Sequence, residues 1–467
     1  MNALKLVQVM QEGEVKEFEK YLDSPFSPGN GRLKAFFQTV KDREVNCKNC
    51  KNRVWKDVYG EEEPYRDTSY RRLSSDLYKA LRQYLGIKEY LARFDDDFDF
   101  LRVMHSRNQD QLFEKEYARL QSQLQKRRFK GEDYYHSLMN LELAGLSYAY
   151  KKPTREYGAG LAGAFSALDR YYIILRYKLA LGHINHLQMY KGEHSMSLQE
   201  IPFSSETLAH HLQDPVIRLF DLCYRLYLQG KESTFIEIQN SLHFIDGAAP
   251  YEKYELYSLV LNYAIRRANA GSFRYLERAF DLCEVLMDQR VFMNGGRLSA
   301  KRYKTVVRAG LALGKKRMVR RFIEENKDYL HPSIQEMYHG FALAAYDYYD
   351  RQYTLALRRL YQLELDTKDV FLDMEVRMLR IRVYIETEDE RLENELAALK
   401  MKTHRLKKKN LFSYQVQRMH QDILQVFTKM VHLKPGDDIH QLLGFATHLP
   451  AELGRWVTTW CLGVRQA

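Results

Sequence analysis

The sequence predicts an all-α protein: stacked helical hairpins forming an α-solenoid, preceded by a smaller helical N-terminal region. Three observations carry that expectation. Glycine (24 residues) and proline (10) are sparse in a chain of 467, so helix breakers are few. Apolar residues recur every three or four positions, which is the period of one helix face and not the alternation of a strand. Turns expected at Gly314, Arg351 and Asp389 lie about 37 residues apart, near the period of helical-hairpin repeats. A single hairpin cannot bury its own apolar face, so neighbouring hairpins stack.

Residues 1–130 form the N-terminal region. A helix from about Glu14 to Asp23 carries Val15, Phe18 and Leu22, and the turn formers from Ser24 to Asn30 stop it. The next helix carries Leu33, Phe36, Phe37 and Val40. The polar stretch from Asp42 to Asp67 reads as a long loop. Thr68 or Ser69 caps a helix with Leu73, Leu77, Ala80, Leu81 and Leu85. Further helices run through Leu91, Phe94, Phe98, Leu101, Leu112 and Leu120. They end at the basic run Lys126 to Lys130, before Gly131.

Residues 131–434 form the hairpin array. One helix holds Tyr135, Leu138, Leu141 and Leu146. A longer one, about Leu161 to Tyr190, sets Phe165, Leu168, Tyr172, Leu175 and Leu179 in phase as a core face. Pro202 and Pro215 bracket a short helix. Ile217, Phe220, Tyr224 and Tyr227 then pair, across Gly230, with Phe235, Ile238, Leu242 and Ile245. Tyr254, Tyr257, Leu261 and Ala264 pair, across Gly271, with Phe273, Leu276, Phe280 and Cys283. Tyr303, Val306, Val307 and Leu313 pair, across Gly314, with Met318, Phe322 and Ile323. The next pair spans about Ser333 to Tyr349 and Gln352 to Glu364. Leu372, Val376, Leu379 and Val383 face Leu392, Leu396, Leu399 and Leu406 in the pair after that. Residues 435–467 follow a long helix near Tyr414 to Val431. There Pro450 opens a final helix whose single apolar face (Leu453, Trp456, Val457, Trp460, Cys461) suits a terminal cap.

Leu343, Ala344, Tyr353, Ala356 and Leu360 together resemble a tetratricopeptide (TPR) unit: large and small in the first helix, then aromatic, small, large in the second. Arg351 stands where that repeat usually has its turn glycine, and Gly340 where it often has a tryptophan. The stretches Glu14 to Phe26, Arg72 to Tyr78 and Leu168 to Leu179 resemble a group of uncharacterised bacterial proteins. Tyr353 to Leu406, with Val383 to Thr387 inside it, looks like their TPR-like C-terminal half. The resemblance implies a TPR-like helical fold and brings no activity or site residues with it.

The formal charge of +11 favours an acidic partner, and three basic clusters stand out: Gln125–Lys130, Lys315–Arg321 and Lys402–Lys409. In the second, Lys316, Arg317, Arg320 and Arg321 spread over one side of a helix. The 34 tyrosines suit helix interfaces and grooves, because each brings apolar area and one polar tip. Cys47-Lys48-Asn49-Cys50 has the spacing of a zinc or redox pair. No second such pair or βαβ pattern accompanies it, so two loop thiols are the simpler reading. His183 and His186 continue a helix stripe, and Asp95 to Asp99 lacks the spacing of a calcium loop. No phosphate-cradling glycine loop, G-x-S-x-G or Rossmann fingerprint is present.

The expected role is therefore non-catalytic and needs no metal or cofactor. A scaffold or adaptor would bind a peptide or protein partner, with Tyr254, Tyr257, Tyr303, Tyr346 and Tyr348 as anchors on the first helices of the hairpins. The alternative is a nucleic-acid-binding regulator: the helical N-terminal region contacts DNA or RNA, the repeat array senses a peptide or dimerises, and the basic clusters, with Lys316, Arg317 and Arg320, offer phosphate contacts. The chain has no membrane-spanning run and its N-terminus lacks the apolar core of a signal peptide, so the expected location is the cytoplasm.

Overall fold

A computed structural model of the chain describes residues 2–8, 10, 12–27, 31–41, 48–92, 95–150, 157–191, 205–289, 291–294, 296–365, 369–410, 412–433 and 439–464. The fold is all-α, as the spacing predicts. Among the described residues, twenty-three helices account for nearly all the regular structure. A two-stranded turn, Met293–Asn294 with Arg297–Leu298, and one bridge between Tyr190 and Phe412 are the only extended pairings there. The chain divides into two compact units, Met1–Gln125 with Ser137–Ala164, and Lys126–His136 with Phe165–Ala467.

The first unit contains α1 (Asn2–Gln8), α2 (Glu12–Leu22), α3 (Gly31–Lys41), α4 (Lys48–Tyr59), α5 (Asp67–Ala92), α6 (Asp95–Ser106), α7 (Asp110–Gln125) and most of α8 (Glu132–Ala149). The 26 residues of α5 are its spine, and α1, α2 and α3 pack on it. Phe18, Phe36, Phe37, Leu77 and Leu81 are fully enclosed there. Much of the expected loop from Asp42 to Asp67 is the helix α4. Its Val54 and Trp55 are buried, and the Trp55 indole donates to the Glu63 carbonyl at 3.1 Å. Val58 and Tyr59 continue the stripe one turn on and pack on the same core, but it is short and set among charged neighbours.

The second unit holds the hairpins. After α9 (Tyr157–Met189) and α10 (Ser205–His211) come five consecutive pairs. These are α11 (Pro215–Gln229) with α12 (Glu232–Ser241), α13 (Pro250–Asn269) with α14 (Phe273–Asp288), and α15 (Ala300–Ala312) with α16 (Lys316–Glu325). Then follow α17 (Pro332–Tyr349) with α18 (Tyr353–Gln362), and α19 (Val370–Thr387) with α20 (Leu392–Lys409). The first helices also pack on one another, α11 on α13, α15 on α17 and α17 on α19. Asp214, Ser299 and Asp369 cap the starts of α11, α15 and α19 by accepting from backbone amides. The turns take left-handed backbone at Gly230, Gly314, Arg351 and Glu388. At Arg351 (φ 61°) a side chain occupies a conformation that glycine adopts more readily.

The buried tyrosines have a specific use. Tyr177 donates to Asp221 at 2.9 Å, and Tyr135, Tyr275 and Tyr338 donate to Asp214, Glu232 and Asp369 of other helices. Each ring fills core volume while its hydroxyl meets a carboxylate, enclosed at Asp214 and Asp221 and more open at Glu232.

The stripe Phe165, Leu168, Tyr172 and Leu179 of α9 is exposed, which corrects the expectation of a core face. The buried face consists of Ala167, Ile173, Ile174, Tyr177, Leu181 and Ile184. Both faces are apolar, and α9 therefore carries almost no directional signal for periodicity to read.

The chain ends with α21 (Tyr414–Val431), α22 (Ile439–Ala446) and α23 (Ala451–Val464). The last helix is not confined to the final hairpin: it packs on α14 and α15, and its first turn reaches α17 and α19.

Candidate functional site

The first helices of three successive pairs each contribute polar groups to one place. Arg308 comes from α15, Tyr349 from the end of α17, and Arg382 and Glu375 from α19. Arg382 sits in the run Ile381-Arg382-Val383-Tyr384, whose other members are all buried, so folding carries its guanidinium inward with them.

Glu452, in the first turn of α23, enters this cluster. Arg382 Nη1 donates to Glu452 Oε1 at 2.8 Å, Tyr349 Oη to the same oxygen at 2.9 Å, and Arg308 Nε to Oε2 at 3.1 Å. The Glu452 side chain is only 10% exposed. Burial by itself would push this carboxyl up; Arg308 and Arg382 overcome that and hold it at about 2. The start of a helix also favours a negative side chain. Around it, Arg308 reaches Glu375 at 3.0 Å and Lys304 reaches Glu375 at 2.9 Å. Without Glu452, Arg308 and Lys304 would share the carboxylate of Glu375 and Arg382 would lose its own.

Arg382 is further held by aromatic rings, with its guanidinium 4.5 Å from the Tyr348 ring centre and 5.2 Å from that of Trp456. The Trp456 indole donates to Glu386 at 2.6 Å, and Arg455 donates to the Ala312 carbonyl at 3.3 Å. The approach is tight. A Cβ added at Gly454 would stand 2.4 Å from the Ala446 carbonyl oxygen. One added at Gly271 would stand 2.1 Å from that of Thr447. A cavity of about 60 Å³ remains among Arg308, Phe341, Tyr349, Arg382 and Glu452, and the Arg382 Nε beside it has no hydrogen-bond partner.

No protein-family profile matches this chain, and neither a curated protein nor a solved structure does. The functional reading therefore rests on the site's own chemistry.

A larger hollow of about 610 Å³ lies between α11 and α12, lined by Leu212, Pro215, Leu219, Ile236 and Phe244. Its charged residues, Arg218 and Glu237, satisfy each other at 2.7 Å. It is roomier than the Glu452 seat, and Gln213, Ser233, Asn240 and Ser241 add polar side chains to its lining.

The residues expected as anchors divide into two sets. Tyr257, Tyr303 and Tyr348 are buried, which corrects their expected place on an open surface. Their rings point between helices because that is where apolar area is gained. Tyr303 lies 3.3 Å from His339 Nδ1, and Tyr348 packs under Arg382. Tyr254 and Tyr346 are half-buried, and Tyr346 carries the Arg320 guanidinium 5.4 Å from its ring centre.

In the basic cluster, Lys316 pairs with Asp350 at 2.9 Å, Arg320 with Glu324 at 2.5 Å and Arg321 with Glu325 at 4.0 Å, while Arg317 is exposed. Lys402 likewise pairs with Asp373 at 2.7 Å. Carboxylates thus already meet three of the five cations of Lys315–Arg321, and Lys402 of the third cluster. Cys47 and the side chain of Cys50 lie outside the described residues. Among the described residues, no three His, Cys, Asp or Glu side chains gather closely enough to hold a metal ion. No helix among them is long and apolar enough to cross a membrane.

Sequence reasoning missed Arg308, Tyr349, Arg382 and Glu452. The available signal was a charge set directly between apolar residues, as Arg382 is between Ile381 and Val383, and a lone acid in the first turn of the last helix.

Proposed function

We propose that this chain is a non-catalytic, TPR-like helical-repeat protein that works as a scaffold or adaptor by gripping a helix of a protein partner. The observation that supports this reading is the set of Arg308, Tyr349 and Arg382 around a carboxylate in the first turn of a helix. Three consecutive hairpins supply the contacts, so the grip depends on the hairpins being stacked. In the folded chain α23 occupies the position. A partner would present an amphipathic helix with Glu or Asp in its first turn, and would compete with α23 for the same cations. Charge-assisted bonds in a dry setting give such a seat selectivity for a carboxylate.

The test uses a labelled peptide of residues 449–464 and the full-length protein in two forms. The Glu452→Lys variant, whose own α23 cannot seat, should bind the peptide at least about tenfold more tightly than the wild type does. A peptide carrying the same substitution should not bind. Equal binding of both peptides, or no binding by the opened variant, would refute the reading.

A further inference from the structure

α9 presents a second apolar face to solvent. Phe165, Leu168, Tyr172 and Leu179 are 57%, 44%, 47% and 66% exposed, and Leu175 among them is half-buried. Their spacing runs three, four, three, four. That is the seam two helices form when they wrap around each other. A helix that faced only water here would carry polar residues at these positions.

We infer that this stripe pairs with the same stripe of a second copy of the chain, antiparallel and about a two-fold axis. The charges beside the stripe select this arrangement. Asp169 and Arg176 flank it on one side, one heptad apart. In an antiparallel pair that flanking position faces its counterpart on the other helix. Setting Tyr172 against Leu175 of the second copy also sets Leu168 against Leu179. Asp169 then meets Arg176, and the symmetry repeats this contact.

Sliding by one layer, to Leu168 against Tyr172, would instead set Asp169 against itself. A parallel pairing brings neither charge to an opposite one. Asp169 is available for this role: its side chain is 54% exposed, with His211 Nε2 4.0 Å away. Steric fit agrees independently. In the selected register Phe165 falls opposite Gly182, where an added Cβ would meet nothing within 4 Å. The open space over Gly182 is where the ring of the second copy would sit.

Sedimentation of the full-length chain, across concentrations up to the tens of micromolar, tests the pairing. The wild type should move from the 55.5 kDa monomer to a species of twice that mass. Leu168→Glu combined with Leu179→Glu should abolish the heavier species without loss of helicity. Asp169→Arg alone and Arg176→Asp alone should each weaken association about tenfold, because each sets like charges together twice. The double exchange should restore it. Three results would overturn the inference: a monomer throughout, a dimer indifferent to the two glutamates, or a double exchange no better than the single ones.

Discussion

Replacing Glu452 by alanine is the sharpest perturbation of the candidate site. It removes the acceptor of two guanidinium groups and one phenol, and leaves Arg382 buried with its charge unmet. The carboxyl's fall from its ordinary 4.5 to about 2 corresponds to about 3 kcal/mol of preference for the charged form in the folded chain. Breaking a buried ion pair from one side costs about 3–5 kcal/mol by an independent route. The two agree, so about 3 kcal/mol is the expected loss at neutral pH. Glu452→Gln keeps one acceptor and should lose less.

The loss should be local before it is global, because α23 is the element released. Hydrogen exchange measured by mass spectrometry on peptides from 451–464 and 300–312 reads it directly. The sign with pH follows from the depressed carboxyl. Its contribution is complete above the ordinary 4.5 and disappears as pH falls toward 2, so wild type and variant should converge in acid. A change below about 1 kcal/mol, with α23 protected as before, would refute the view that this cluster holds the helix.

Four further outcomes are expected. Gly454→Ala should loosen α23 by about 1–3 kcal/mol, since its Cβ would lie 2.4 Å from the Ala446 oxygen; unchanged exchange of 451–464 would count against that contact. Arg351→Gly should raise the denaturation midpoint by up to about 1 kcal/mol equivalent, because the φ of 61° suits glycine; a lower midpoint would show that the arginine's own contacts dominate. Glu252 is pushed up to about 7 by burial, with Asp133 adding to the rise against its bond from the Ala249 amide. Its stabilisation is present below pH 4.5 and lost as pH rises to 7, so Glu252→Gln should flatten urea stability across that window. Cys223 and Cys283 are buried and their thiols pushed up to about 12, so a Cys47→Ser, Cys50→Ser variant should titrate no thiol until unfolded; Cys461 is equally enclosed.

The helices of the second unit were legible because their signal is local. Val306 and Val307 of α15, Leu360 of α18, or Leu396 and Leu399 of α20 repeat at helical spacing and are buried. Helix α4 was hidden by the density of charge around Val54 and Trp55.

The candidate site was not legible. Arg308, Tyr349, Arg382 and Glu452 lie on four helices, and nothing in their spacing relates them. Nor did tyrosine abundance separate the half-buried Tyr254 and Tyr346 from the enclosed Tyr257, Tyr303 and Tyr348. That depends on which neighbour each ring meets.

By itself the sequence determined an all-α chain and the hairpins from α11 to α20. A period of 3.6 acts within a few residues of itself. Only the tertiary structure decided which apolar face of α9 is covered, and that the last helix reaches back to the hairpins through Glu452. Those outcomes depend on groups distant in the chain coming together, where burial makes one carboxylate between two guanidinium groups far stronger than the same charges in water.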